Sequence, residues 1–349
     1  MKNSTVTSVL GVDIAKNVFQ LHGLDKNGEV SLKKRLSRAR FITFMAQLPP
    51  CFIGLEACGG AHHWGRYLTS LGHEIKLMSP KLVKAYVNGN KNDAADAKAC
   101  CEAATRGHVR NVLIKTEEQQ AILLLHKTRS RLLKQRVQLS NHIRGNLYEF
   151  GIIVAKGEAA FRTRIIELLD NSTLLPQVKS VLIDAYEEYV ILSKRVKEYK
   201  KKIEQLVKQD KDSRRLLTIP GFGPLSASAF ACLVKDQPFT KGRQAAAWIG
   251  LTPKEHSSGE KRQLLGISKR GHRYLRSLLV HGARSSVKEA MKKTEPNQRE
   301  AWIQRLVLER GYNKGVVALA NKNARIAWAM LGQQQEYQAD FANHYRYAA

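Results

Sequence analysis

Leu182, Tyr189, Val196 and Ile203 recur every seven residues, and Ala185, Leu192, Tyr199 and Leu206 form a second row three residues on. Two such rows make an a/d stripe, which a long helix can bury only against a partner running alongside it. A helix from Val178 to Gln209 is about 48 Å long. Leu125, Leu132 and Leu139 make a weaker seam upstream. The two seams fit an antiparallel hairpin within the chain, and they fit equally an arm that pairs with a neighbouring subunit. The charged helical stretch divides the 349 residues into three expected parts: 1–115, 116–210 and 211–349.

Ahead of the arm the pattern is different. VLGVDIA, VFQLHGL and EVSLKKRL are short apolar runs, with Asp25-Lys26-Asn27-Gly28 between the second and third. Asn-Gly between such runs signals a hairpin. CFIGLEACGG and HEIKLMSP read as two further strands, separated by a helix that Gly72 stops, and residues 93–106 read as another helix. Three antiparallel strands followed by strands alternating with helices describe a ribonuclease-H-like α/β fold. A doubly wound nucleotide-binding fold would open with strand then helix.

Lys and Arg number 58 against 30 Asp and Glu, a formal charge of +28 on a chain that is 43% hydrophobic. That apolar fraction excludes whole-chain disorder. So large a positive excess repels itself unless a polyanion screens it, which makes nucleic acid the leading partner. No membrane partner is expected: the longest uncharged apolar stretch, Phe41 to Leu55, is interrupted by Gln47, Pro49 and Pro50, and a span needs about 20 apolar residues. The segment before Asp13 lacks the apolar core of a secretory signal. Five cysteines, an odd count in a chain with no export signal, read as reduced thiols, and a cytoplasmic, nucleoid-associated protein is expected.

The C-terminal part is expected to be mostly helical and to contact nucleic acid. Ile219-Pro220-Gly221-Phe222-Gly223-Pro224 is a tight turn ahead of a helix. Backbone N–H groups at such a helix N-terminus suit a phosphate, and the pattern matches a helix-hairpin-helix binder of the DNA backbone, with Gly221 and Gly223 at the contact. Residues 254–284 hold eight Lys or Arg, among them Lys254, Lys261, Arg262, Lys269, Arg270, Arg273 and Arg276, against Glu255 and Glu260 alone. Tyr274 and three histidines are interleaved.

Four acids are placed for chemistry. Asp13 lies in the first strand and Glu56 ends the fourth, while Asp93 and Asp96 are three apart at the start of a helix, hence on one face. Taken singly, each has a plainer role; Asp93, for instance, can serve as an N-cap. Together they are an all-oxygen donor set suited to Mg²⁺ or Mn²⁺ rather than Zn²⁺. Two such ions clamp a phosphodiester for cleavage. Ser257 and Ser258, beside Gly259 in the basic run, are candidate nucleophiles or phosphate binders.

These residues make the chain resemble the DEDD transposases of bacterial insertion sequences, the bridge-RNA-guided recombinases. The N-terminal half carries GVDIAK, LEACGGAHHW and KNDAADA. The C-terminal half carries IPGFGPLSA, AAWIGLTPKEHSSGEKRQLLGISKRGHRYLR and NKGVVALANKNARIAW. The resemblance implies that Asp13, Glu56, Asp93 and Asp96 are metal ligands of a RuvC-like domain and that Ser258 is the nucleophile. It further implies Mg²⁺ as cofactor, a structured noncoding guide RNA encoded by the element, and donor and target DNA as substrates. A homodimer or homotetramer whose catalytic pieces come from different subunits is implied too, as is a 5′-phosphoserine intermediate. Cys58 stands where threonine is common in the family. Two other classes fit the residues alone: a metal-dependent junction nuclease without serine chemistry, and a non-catalytic RNA or DNA scaffold.

Overall fold

Asp25 folds its own turn: Oδ1 accepts the backbone N–H groups of Asn27 and Glu29, both at 2.9 Å. The turn joins β2 (Val18–Leu24) to β3 (Val30–Ser37), and β1 (Val9–Ile14) pairs antiparallel with β2. The computed structural model describes residues 6–87, 92–170, 174–259 and 261–338. Lys91, Glu260 and the first five residues of the N-terminal segment lie outside the described residues. The chain forms two compact units, Met1–Glu117 and Glu118–Ala349.

In the first unit, α1 (Arg38–Gln47) precedes β4 (Phe52–Glu56), which lies parallel to β1. Helix α2 (Ala61–Ser70) then leads to β5 (Glu74–Met78), parallel to β4, so the sheet order is β3-β2-β1-β4-β5. The main apolar core gathers Leu10, Val12, Ile53 and Leu55 of the sheet with Phe41 and Met45 of α1 and Trp64 and Leu68 of α2. Phe19 stacks on Phe41 with centroids 4.3 Å apart, and Trp64 meets both edge-on. After a short α3 (Pro80–Val83) comes α4 (Asp93–Ala104).

Glycine decides where α4 lies. Gly11 and Gly54 are register partners on β1 and β4. A Cβ on Gly11 would collide with the Ala97 carbonyl and the Cys101 backbone, and one on Gly54 with the Cys100 carbonyl. The two bare positions form a floor on which the helix backbone rests directly. This seating carries the N-terminal turn of α4 to the C-terminal ends of β1 and β4, where Asp13 and Glu56 stand.

The second unit begins with α5 (Glu117–Glu149), α6 (Glu158–Asp170) and α7 (Pro176–Gln209). Helix α7 is the one expected from the heptad rows, two residues longer at its start. Its rows find their partner inside the chain. Leu182 and Tyr189 join Ile143 and Leu147 of α5 with Phe161 and Ile165 of α6, and Leu192 and Val196 close on Leu132. Of the two readings of the seam, the packing from Leu182 to Val196 favours the one within the chain, against α5 and α6. Leu192→Glu is expected to lower stability by about 3 kcal/mol, the scale of a lost core side chain and a buried charge. Thermal melts check this; an unchanged melt would place Leu192 outside the arm's core.

Beyond the arm, α8 (Lys211–Leu216), α9 (Pro224–Val234) and α10 (Gly242–Ile249) lead to a two-stranded antiparallel ribbon, β6 (Pro253–Glu255) and β7 (Leu264–Ile267). Then come α11 (Arg273–Ala290), α12 (Gln298–Arg310) and α13 (Tyr312–Gln333). Phe230, Leu275, Leu279, Val316 and Leu319 lie in one shared core. The ribbon was not expected from sequence, because its strands are too short to show a period.

A polar chain pins α5 into this core. His126 is 1% exposed; its Nδ1 pairs with the Tyr274 hydroxyl and its Nε2 with Ser228 Oγ, both at 2.9 Å. Ser228 donates its own hydroxyl to the Pro224 carbonyl at 2.9 Å. Nε2–H is thus the donor to Ser228, and Nδ1 accepts from Tyr274. Burial, aided by the charge of Arg129, pushes the imidazole pKa down to about 4. The folded state holds neutral His126 where the unfolded chain would protonate it. Stability is accordingly full above pH ~6.5 and lost as pH falls toward 4, by roughly 3 kcal/mol. His126→Gln is expected to flatten that slope in melts between these pH values; an unaltered slope would assign it to other groups.

Candidate active site and nucleic-acid interface

Asn92, not Asp93, caps α4: its Oδ1 accepts the Ala95 N–H at 2.8 Å. That overturns the capping role for Asp93 and leaves its carboxylate in the exposed first turn beside Asp96. Asp13 is half-buried at the end of β1. Its pKa is raised to about 6, first by burial and then by the charges of Asp96, Asp93 and Glu56 in that order. The other three acids singled out in the sequence therefore all act on Asp13, although the four come from two strands and a helix. Among the described residues no three His, Cys, Asp or Glu side chains lie at ligating distance as they stand. The cluster is an electrostatic gathering of hard oxygen donors, strained by like charge, which fits a divalent cation in chemistry while its side chains are not closed on one.

Cys58 touches the same place. Its thiol lies 3.8 Å from the Ile14 carbonyl and is pushed up by burial and then by Glu56 and Asp13. It is exposed and protonated, so it adds no thiolate to the donor set.

Ser257 and Ser258 sit in the loop of the β6–β7 ribbon, and their hydroxyls differ. Ser257 Oγ donates to Glu255 Oε1 at 3.0 Å and accepts the Gln263 N–H at 3.3 Å, while Glu255 also pairs with Arg262 Nε at 3.3 Å. Ser257 is thus a strut of the loop. Ser258 is exposed, and its backbone bridges to Lys261. Its hydroxyl has no hydrogen-bond partner among the described residues.

The expected basic contacts divide. Lys254, Lys261, Arg262, Lys269, Arg270 and Arg273 are exposed around the ribbon and the start of α11. Arg276 is instead turned to structure: its Nη1 donates to the Ile249 carbonyl at 2.8 Å, binding α11 to the end of α10. In the glycine turn, Gly221 adopts a left-handed φ of 95°. The Gly223 N–H is taken by Ser226 Oγ at 2.8 Å and that of Phe222 by the Ile219 carbonyl at 2.9 Å, so these two donors are spent inside the turn. Sequence reasoning missed Arg299 and Asn323, which lie behind the turn. Asn323 sits within the NKNARIAW motif, but only the fold shows which side chains face Pro220.

Two family models match the chain. A DEDD transposase model covers residues 10–152, and a model described as Transposase IS116/IS110/IS902 family covers residues 213–297. The chain is 44% identical over 334 residues to a probable family 20 transposase of Pseudomonas aeruginosa, covering 95% of this chain and 98% of that protein. It is 43% identical to the transposase for insertion sequence element IS1111A of Coxiella burnetii, covering 94% and 91% of the two chains. With the transposase for insertion sequence element IS1328 of Yersinia enterocolitica it shares 36% identity, over 93% and 97%. With four interacting acids in the first unit, an exposed basic ribbon in the second and relatives matched almost end to end, the chain belongs to the IS116/IS110/IS902 family of insertion-sequence transposases.

Proposed function

We propose that the protein is the RNA-guided, Mg²⁺-dependent recombinase of its insertion sequence, exchanging strands between donor and target DNA through a serine-linked intermediate. The observation that carries this reading is the half-buried Asp13 at the end of β1, whose carboxyl is pushed up first by burial and then by the charges of Asp96, Asp93 and Glu56. The strand order β3-β2-β1-β4-β5 supports a ribonuclease-H-like, RuvC-like domain with the acids at its strand ends. Asp13, Glu56, Asp93 and Asp96 would hold the ions. When bound, Mg²⁺ or Mn²⁺ supplies charge stabilisation and orientation at the phosphate.

Ser258 is the nucleophile in this reading. Its Oγ forms a bond to phosphorus, the bond from phosphorus to the 3′ oxygen breaks, and the serine proton is given up while the 3′ oxygen gains one. The DNA is left with a free 3′ hydroxyl and a 5′ phosphate on the serine. Lys254, Lys261 and Arg262 offset the charge that builds on the phosphate. The ribbon with Lys269, Arg270 and Arg273, and the turn carrying Gly221 and Gly223, bind nucleic-acid backbone. An element-encoded RNA pairs with donor and target, and a homodimer or homotetramer brings them together. Base pairing of the RNA would then write the target, as in other guided systems.

The test is strand cleavage by protein isolated from its host, after sequencing the RNA that co-purifies. Cleavage that needs both that RNA and Mg²⁺, and that Asp93→Asn or Asp96→Asn abolishes, is the expected result. Cleavage without RNA would leave a junction nuclease, and RNA binding without cleavage a scaffold.

A further inference from the structure

Leu264 and Leu265 stand side by side in β7, 53% and 47% exposed. Neither belongs to an apolar core among the described residues. A single exposed leucine is ordinary, but this pair is held out on a built hairpin. Ser268 N–H donates to the Thr252 carbonyl at 2.7 Å and Ile267 is half-buried, which roots the ribbon. Further out, Glu255 is the register partner of Leu264, the His256 N–H donates to the Gln263 carbonyl at 2.9 Å, and Ser258 bridges to Lys261. Leu264 is therefore three residues from the partner of Ser258, about 10 Å along the ribbon. That is the span of about three stacked bases. Between the Pro253–Ile267 and Glu255–Leu264 pairs, β7 holds one residue more than β6. This bulge falls on Leu265 and Gly266 and re-aims the strand there, and a Cβ on Gly266 would meet nothing within 4 Å.

The surroundings say what covers the leucines. Lys254, Lys261, Arg262, Lys269, Arg270 and Arg273 are exposed around them. Among the described residues of 253–273 the one acid is Glu255, and Arg262 and Ser257 already engage it. A second copy laid on this face would bring the same cations against it, whereas a polyanion offsets them. A two-stranded ribbon fits the major groove of B-form DNA, and the deep, narrow groove of A-form RNA does not admit it. Leucine is among the side chains that enter between base steps and part them.

We infer that Leu264 and Leu265 form an apolar wedge, which the ribbon presses between bases of duplex DNA beside the phosphate that Ser258 attacks. This rests on the reading of the ribbon as a nucleic-acid contact. The cations hold the backbone, and the leucines open the stack a few bases from the serine.

The experiment uses the full chain and two synthetic DNA duplexes of one random sequence. One is fully paired, the other has mismatched pairs at its centre, and each carries 2-aminopurine beside the centre. Binding is read by anisotropy of an end label across a salt series, unstacking by 2-aminopurine fluorescence, fold by thermal melting and mass by light scattering. A mismatch has already lost part of the stacking that a wedge must break. The wild type is thus expected to bind the mismatched duplex roughly tenfold more tightly and to brighten its 2-aminopurine. Leu264→Thr combined with Leu265→Thr keeps residues suited to a strand and removes apolar reach. It is expected to lose the preference and the brightening with the salt slope unchanged, because no phosphate contact is removed. Leu264→Met combined with Leu265→Met keeps the apolar bulk and should retain both signals. A threonine variant that keeps both overturns the wedge, as does a wild type that shows neither. A lower mass in the threonine variant would place the leucines against a second copy and overturn it equally. Should the threonine pair not fold, Leu265→Thr alone is read by the same signals. Lys254→Ala combined with Lys261→Ala tests the underlying reading separately: the slope of log affinity against log salt should shrink by about 2. An unchanged slope overturns the ribbon as a backbone contact, while a shrunken slope with the leucine signals intact in the threonine variant overturns the wedge alone.

Discussion

Ser258→Ala is expected to abolish both the covalent protein–DNA adduct and strand exchange, whereas Ser257→Ala retains both at reduced level. The difference follows from the ribbon loop. Ser257 Oγ is committed to Glu255 and the Gln263 N–H, while Ser258 is exposed with its hydroxyl unengaged among the described residues. A serine hydroxyl is a weak nucleophile at neutral pH and must be activated, so removing the attacking oxygen costs catalysis on the order of a thousandfold or more. In the proposed mechanism Lys261 and Arg262 beside it would lower the barrier by meeting the charge of the five-coordinate phosphate. A substrate nicked to trap the intermediate, incubated with protein, RNA and Mg²⁺ and boiled in detergent, should show a band shifted by one protein chain. Loss of that band in Ser257→Ala but not in Ser258→Ala would exchange their roles. A wild-type protein that forms no adduct would remove serine chemistry altogether and return the acids to a purely hydrolytic task.

Asp13→Asn is expected to stabilise the metal-free protein while destroying its response to divalent cations. Asp13 titrates near 6 in the folded protein, mainly through burial and then through its three acidic neighbours, against an ordinary 3.8. The folded state thus holds this proton to higher pH than the unfolded chain does. With respect to this group, stability is greatest below about pH 4 and falls as pH rises through 6. At neutral pH the ionised, half-buried carboxylate, screened by water, costs about 1 kcal/mol. Asparagine removes that repulsion, so the metal-free melting temperature should rise by a few degrees. Added Mg²⁺ or Mn²⁺ should raise the melting temperature of the wild type, since a ligand that binds only the folded state stabilises it. The same addition should leave Asp13→Asn unmoved. If the wild type ignores both ions, or if the asparagine variant melts lower without metal, the four acids are not a cation site.

Periodicity carried the local structure. The rows from Leu182 to Leu206 dictated a long helix, the Asp25–Gly28 turn a hairpin, and Gly72 a helix end, because each depends on contacts a few residues apart. The four acids were likewise visible: Asp13 and Glu56 interrupt or end apolar strand runs, and Asp93 and Asp96 share one face of a helix's first turn. Which surfaces meet was not legible. The same heptad rows serve a neighbouring subunit or the chain's own α5 equally well, and the structure resolves this by burying Leu192 and Val196 on Leu132. The short strands β6 and β7 left no period, so the different hydrogen bonding of Ser257 and Ser258 emerged only with the ribbon. Arg276 reads as one more basic residue until α10 is seen to end within reach of its guanidinium.

The sequence by itself determined the elements, the excess of positive charge and the identity of the acids, because those are properties of residues and their near neighbours. The tertiary structure alone decided that Asp13 lies within electrostatic reach of the other three acids. Asp13, Glu56 and the Asp93–Asp96 pair lie tens of residues apart, and they are brought together because Gly11 and Gly54 leave the sheet bare where α4 must rest. No local preference encodes that seating; it depends on an absence of side chains on two paired strands, felt only when a third element packs against them.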